Sequence, residues 1–318
     1  MIRFEDVKKQ YDGSVAVNDL NFAIEEGEFF VLIGPSGCGK TTTLKMMNRL
    51  IDPSDGTILI DNKRITDYDI HKLRYNIGYV LQQIALFPHM TIEENIAIVP
   101  QLKKWNEQDI QARVSELLSM VGLNPEEFKD RKPNELSGGQ QQRIGVARAL
   151  AADPKLILMD EPFSALDPIS REKLQDDLLE LKKTIKKTIV FVTHDISEAL
   201  KLGDRIGIMN EGKMVQIGTP EELLNAPQNE FVKSFIGRSN DETPINLEEL
   251  LSPISPEIEL STVRKIHTGF TIQELLHTLK VDEQVVIIED DQALGYIDRQ
   301  AVIAYLANGA VKGGALSE

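Results

Sequence analysis

The stretch Phe29-Phe30-Val31-Leu32-Ile33-Gly34-Pro35-Ser36-Gly37-Cys38-Gly39-Lys40-Thr41-Thr42 decides the reading of this chain. Its apolar opening has the length and composition of a buried strand. The residues from Gly34 to Thr41 match G-x-x-x-x-G-K-[ST] in full, and a helix is expected from near Gly39 to about Leu50. Strand, glycine-rich loop and helix in that order form a cradle for phosphate. Glycines let the backbone wrap closely, so that successive N–H groups point at phosphate oxygens. The helix start adds a favourable dipole. Lys40 would reach the outer phosphates of a nucleoside triphosphate, and Thr41 would hold its magnesium.

A second stretch supplies acidic chemistry. Leu156-Ile157-Leu158-Met159 is apolar and ends in Asp160-Glu161. A buried strand delivers both carboxylates to its carboxyl end, where sheets of this type bind ligands. Asp160 would act on magnesium, and Glu161 would orient or deprotonate the attacking water. Alone, an apolar run ending in Asp-Glu marks a strand end; after a phosphate loop it becomes the second half of an NTPase site.

Leu136-Ser137-Gly138-Gly139-Gln140 precedes a helical pattern beginning Gln141-Gln142-Arg143-Ile144, with Ser137 suited to cap it. With this pentapeptide added, residues 1 to 237 resemble the ABC ATPase family. The resemblance implies roles for further residues. Tyr11 would stack on adenine. Gln82 would touch magnesium and sense a membrane partner, with Gln83 as the neighbouring alternative. Asp167, in Ser164-Ala165-Leu166-Asp167, would contact the opposite subunit. His194, in Val192-Thr193-His194-Asp195, would contact the γ-phosphate. Two copies would pair head to tail, each ATP lying between the phosphate loop of one and Ser137 to Gln140 of the other.

The layout fits an α/β P-loop fold. Strands are expected at Thr57 to Ile60, Ile77 to Leu81, Lys155 to Met159, Thr188 to Thr193, Asp204 to Met209 and Lys213 to Ile217. Between the second and third of these, a helical subdomain is expected at about 84 to 153, where Ile110, Val114, Leu117, Leu118 and Val121 recur at helix spacing. Ser170 to Lys186 reads as a helix. Residues 238 to 260, with Pro244, Pro253 and Pro256, read as a linker. A small α+β module of order βαββα is expected at 261 to 308. Its strands are Val263 to Ile266, Val285 to Ile288 and Ala293 to Ile297, its helices Thr271 to Leu279 and Asp298 to Ala307. A mobile tail at 309 to 318 follows.

Composition narrows the partners. The 318 residues carry a formal net charge of −15. From Ser239 onward, 14 Asp and Glu face 5 Lys and Arg, a balance of −9, leaving −6 for the first 238. That surface argues against nucleic acid, which requires net positive charge. It also disfavours the chromosome-maintenance and translation-factor branches of the superfamily. No apolar run is long enough to span a bilayer and no signal peptide is readable at Met1-Ile2-Arg3. Any membrane-spanning part is therefore expected on another polypeptide. The resemblance to the ABC ATPase family implies that the chain sits at the cytoplasmic face of the membrane, bound to integral permease subunits and indirectly to a substrate-binding protein.

The stretches Gln82 to Thr91 and Glu198-Ala199-Leu200-Lys201-Leu202-Gly203-Asp204-Arg205 resemble the ATPases of quaternary-amine osmoprotectant importers. Phe87, Pro88 and His89 fall where relatives grip the membrane subunit. The C-terminal module, with Val285-Val286-Ile287-Ile288 and Gly295-Tyr296-Ile297-Asp298, resembles one CBS motif. Two readings stay open for it: regulation by an adenosine-type nucleotide, or packing and dimerisation alone. An ACT-like module of a methionine-type importer is a third. The single cysteine, Cys38, lies at a helix start beside Lys40, which predicts a lowered thiol pKa.

Overall fold

The computed structural model describes residues 1–11, 13–82, 85–164, 166, 168–184, 187–240, 250–253, 263–268, 275, 278–279, 282–289 and 292–302. The chain divides into two compact units, Met1–Ile236 and Gly237–Glu318.

In the first unit, a long hairpin of β1 (Ile2–Tyr11) and β2 (Ser14–Ile24) starts an antiparallel sheet. The strand β3 (Phe29–Ile33) leads into α1 (Lys40–Met47). After it, β4 (Asp55–Ile60) and β5 (Lys63–Arg64) complete the first sheet, whose order is β2-β1-β4-β5. The helix α2 (Ile70–Tyr75), capped by Asp69, precedes β6 (Ile77–Val80). The expected helical segment follows: α3 (Ile92–Leu102), α4 (Glu107–Met120), α5 (Pro125–Phe128) and α6 (Gly138–Leu150). The chain then alternates through β7 (Leu156–Asp160), α7 (Pro168–Thr184), β8 (Thr188–Val192), α8 (Ile196–Leu202) and β9 (Arg205–Asn210). It ends with β10 (Lys213–Gly218), α9 (Pro220–Asn225) and α10 (Glu230–Asn240).

The second sheet has order β10-β9-β3-β8-β7-β6 and is parallel except for the β9–β10 hairpin. The strands β3, β7 and β8 are buried along their whole length, which explains why they read as unbroken apolar runs. Their side chains still alternate between faces. Phe29, Val31, Ile33, Ile157, Met159, Ile189 and Phe191 pack into the core shared with the helical segment. Phe30, Leu32, Leu156, Leu158, Val190 and Val192 pack toward the antiparallel sheet. Burying each such side chain contributes about 1.5–3 kcal/mol, so the central strands hold two cores together.

Register places the chemistry. Leu32 pairs with Val192, and Val192 pairs with Asp160. The residues that follow each partner, Gly34, Glu161 and His194, therefore leave the sheet at one carboxyl edge.

Some boundaries differ from expectation. α1 stops at Met47, because Asn48 Oδ1 accepts from Leu50 N and the amides of Leu50 and Ile51 fold back to Lys45 O. α7 begins at Pro168, a residue whose φ suits a first helical turn. Most of the expected linker at 238 to 260 lies outside the described residues. α10 runs to Asn240, and Leu250 is buried in the C-terminal core. Ser252 pairs with Tyr296 through reciprocal backbone hydrogen bonds, N to O, of 2.9 and 3.0 Å.

In the second unit, β11 (Lys265–His267), β12 (Gln284–Glu289) and β13 (Gln292–Asp298) form a three-stranded sheet. β11 pairs parallel with β12, and β12 antiparallel with β13. A parallel pair needs a crossover between its strands, and Leu275, Thr278 and Leu279 are helical there. Leu275, Leu279, Val285, Ile287, Ile297 and Val302 close a small core around this sheet. β11 starts two residues later than the expected strand, at Lys265 in place of Val263. The tail at 309 to 318 lies outside the described residues.

Candidate active site at the carboxyl edge of the parallel sheet

The loop after β3 depends on glycine at two points of close approach. Gly34 has φ 153°, and a Cβ there would stand 2.1 Å from Met209 O. Gly39 has φ 103°, and its Cβ would stand 2.5 Å from Ala16 O. No L side chain fits either position. The loop so shaped buries Lys40, whose Nζ donates to Gly34 O at 2.8 Å and Pro35 O at 3.0 Å. Beside it, Ala16, Ser36, Gly37, Gly39, Lys40, Thr41, Thr42 and Glu161 line a cleft.

Cys38 corrects the expectation of an activated thiol. It is buried, and desolvation pushes its pKa up, outweighing the nearby Lys40 ammonium. Sγ lies 3.8 Å from Lys40 Nζ, but burial disfavours the thiolate more than that charge supports it.

Across the cleft, Thr41 Oγ1 donates to Asp160 Oδ1 at 2.8 Å. The Tyr79 hydroxyl reaches the other oxygen, Oδ2, at 3.5 Å. Burial raises the pKa of Asp160, opposed mainly by the Thr41 hydrogen bond. Burial, with Asp160 adding repulsion, also raises that of Tyr79, so its hydroxyl keeps its proton.

Glu161 follows with φ 44°, in the left-handed region that glutamate seldom adopts. Its N–H donates to Val192 O at 2.9 Å, and its own carbonyl accepts from Ser164 Oγ at 3.0 Å. This sharp turn aims the carboxylate into the cleft. Gln82 Nε2 donates to Glu161 Oε2 at 3.2 Å. His194 Nδ1 lies 3.2 Å from the same oxygen. Residues 82, 161 and 194, far apart in sequence, thus meet on one atom.

Other expected residues stand apart from this cluster. Tyr11 is exposed on the β1–β2 hairpin, with Lys9 Nζ 4.9 Å from its ring centroid. It lines a separate recess with Gln10, Gly13, Ser14 and Val15. Ser137 caps α6 in a reciprocal box: Ser137 Oγ accepts from Gln140 N at 3.3 Å, and Gln140 Oε1 accepts from Ser137 N at 2.9 Å. Ser137 and Gly138 are exposed, and residues 137 to 140 do not line the phosphate-loop cleft. Asp167 and Gln83 lie outside the described residues.

Sequence reasoning missed a layer behind these groups. Asp195 and Glu198 have the spacing of a capping box, yet Glu198 turns inward and Thr193 Oγ1 donates to its Oε2 at 2.6 Å. Asp195 alone caps α8, through Ser197 N and Glu198 N. Arg171 approaches both carboxylates at 3.9 and 4.0 Å and donates to Leu166 O at 3.3 Å. Tyr79 was missed as well. Its signal is a phenol inside a buried parallel strand, which must find a partner for its hydroxyl.

The parallel sheet, the phosphate loop, the adjoining carboxylates and the inserted helices define an ATP-binding cassette ATPase. The ABC transporter family pattern matches residues 17–164. The chain is 50% identical over 312 residues to the choline transport ATP-binding protein OpuBA of Bacillus subtilis, covering 95% of this chain and 79% of that protein. The glycine betaine/carnitine/choline transport ATP-binding protein OpuCA of the same organism shows the same identity and coverage. A dimeric ATP-binding cassette solved in a post-hydrolysis state with ADP and Pi superposes with a TM-score of 0.63 at 38% identity, covering 69% of this chain and 99% of that one. This chain belongs to the ABC transporter ATP-binding family.

Proposed function

We propose that this chain binds and hydrolyses ATP to power import of a quaternary-amine osmoprotectant, choline, carnitine or glycine betaine, through separate membrane subunits. The convergence of Gln82 and His194 on Glu161 Oε2 carries the assignment of hydrolysis. The solute class is supported by 50% identity to relatives that transport these amines.

In this reading the backbone from Gly34 to Thr42 holds the phosphates. Lys40 gives up its carbonyl partners for β and γ oxygens. Glu161 takes a proton from the attacking water, while Gln82 and His194 fix the orientation of its carboxylate. His194 also meets the γ-phosphate, and Tyr11 stacks on adenine.

The residues present fit magnesium. No cluster of three or more His, Cys, Asp or Glu able to hold a metal occurs among the described residues. Magnesium asks for less, because it is commonly bound by one or two carboxylates together with substrate phosphates. Thr41 and Asp160, already in contact, would hold it, with Gln82 close by. Bound there, the ion would neutralise charge on the phosphates.

A second copy would complete the site by bringing Ser137 to Gln140, and Asp167, against the nucleotide. The related cassette with ADP and Pi is itself dimeric, which supports this reading. Separation on hydrolysis follows if ATP contacts both copies and ADP fewer of them.

Among the described residues no helix is long and apolar enough to cross a membrane; in this reading the solute path belongs to partner subunits. A groove lined by Tyr75, Tyr79, Leu81, Phe87, Ile98 and Arg148 among others suits an apolar segment of such a partner. Among its lining residues Phe87 is 51% exposed. This arrangement would hold the chain at the cytoplasmic face of the membrane. The β-α-β-β order of the C-terminal unit supports a CBS-like module, in a regulatory or dimerising role.

The test is steady ATP hydrolysis by the chain reconstituted with its permease and binding protein. Stimulation by one of the three amines supports the assignment. Hydrolysis indifferent to all three removes the solute class and leaves the ATPase.

A further inference from the structure

We propose that Tyr79 is a positioning residue linking the apolar groove to the carboxylate of Asp160. The inference rests on reading the groove as the permease site. Tyr79 lies on β6, the strand at the end of the six-stranded sheet, and pairs with Leu158 on β7. Its side chain belongs to two places at once. The residue lines the groove beside Ile77, Leu81 and Phe87. Its hydroxyl meets Asp160 Oδ2 at 3.5 Å.

Asp160 is 3% exposed, so few groups reach it. Two hydroxyls divide its oxygens between them, Thr41 on Oδ1 and Tyr79 on Oδ2. Thr41 belongs to the phosphate loop; Tyr79 belongs to the groove wall. A phenol is a rigid lever with two rotatable bonds. A groove occupant that presses on the ring therefore moves the hydroxyl, and with it the second oxygen of Asp160. At 3.5 Å this contact is long for a hydroxyl hydrogen bond, so a small ring movement shortens or breaks it. Gln82 lies three residues further along the same segment and contacts Glu161, not Asp160. The two carboxylates thus have separate connections to this side of the molecule.

Tyr79→Phe tests the inference, since it keeps the ring in the groove and removes the hydroxyl. Two quantities are measured: the gain in affinity of the isolated chain for a fluorescent ATP analogue on adding magnesium, and the stimulation of hydrolysis by reconstituted permease. Tyr79→Phe is expected to lower each by about three- to tenfold, the range of one hydrogen bond, with permease co-purification unchanged. An unchanged magnesium gain overturns the positioning of Asp160. A reduced gain with unchanged stimulation overturns the link to the groove. Phe87→Asp changes an exposed residue and tests the underlying reading separately. If this variant still co-purifies fully with permease, the groove is not the permease site.

Discussion

The Glu161 carboxylate and the His194 imidazole meet at 3.2 Å, Oε2 to Nδ1, although 33 residues separate them. Sheet register causes the meeting: Asp160 pairs with Val192, so the residue after one and the second residue after the other leave at the same edge. Removing the imidazole should cost one γ-phosphate contact, weaken nucleotide binding little because the phosphate loop keeps its own contacts, and slow the chemical step. His194→Ala is expected to lower kcat by about 10²-fold or more, within the usual range for acid–base groups and their orienters. The ATP concentration for half-maximal rate should change little. Steady-state kinetics at saturating magnesium checks this; a changed KM with unchanged kcat would confine His194 to γ-phosphate binding and remove it from the chemical step.

Glycine positions in the phosphate loop should differ in severity. At Gly37, φ is 76° but no atom lies within 4 Å of a new Cβ. Gly37→Ala therefore brings backbone strain alone, about 1 kcal/mol. At Gly34 the Cβ would meet Met209 O at 2.1 Å as well. Gly34→Ala is expected to lower Tm by several degrees more than Gly37→Ala, and calorimetry of the two variants compares them directly.

Glu198 is 4% exposed, and burial raises its pKa above the ordinary 4.5, opposed by Thr193 and Arg171 and reinforced by Asp195. A carboxyl with a raised folded-state pKa costs stability as pH climbs from the unfolded value through the folded one. Glu198→Gln keeps an acceptor for Thr193 Oγ1 and removes the charge. The variant should melt higher than the parent at neutral pH. The difference should shrink as pH falls toward 4.5. A variant that melts lower at every pH would mean that Arg171 depends on this carboxylate more than burial opposes it.

The Cys38 thiol is buried and its pKa is raised. Iodoacetamide at pH 7 should label the native chain slowly, and the urea-unfolded chain at the rate of an ordinary thiol. Rapid native labelling would show that the loop opens readily.

The nucleotide fold was legible because its central strands are buried on both faces and so appear as uninterrupted apolar runs ending in glycine or carboxylate. Phe29 to Ile33 and Leu156 to Asp160 are such runs. Within the expected linker, proline and polar neighbours hide Leu250, which is buried in the C-terminal core, and Ser252, which bridges to Tyr296. Tyr79 and Glu198 were invisible for a related reason. Their partners, Asp160 and Thr193, are set by strand pairing and an inward turn of a side chain, and neither has a local motif.

In the proposed function Glu161 is the base in a site completed by a second copy. Glu161→Gln preserves the volume and one acceptor oxygen but cannot take a proton. Size-exclusion chromatography with light scattering, in ATP and magnesium, measures the consequence. A stable dimer retaining ATP, with turnover almost abolished, is the expected result. A variant that hydrolyses ATP at the parent rate and stays monomeric would contradict both the assigned base and the shared site.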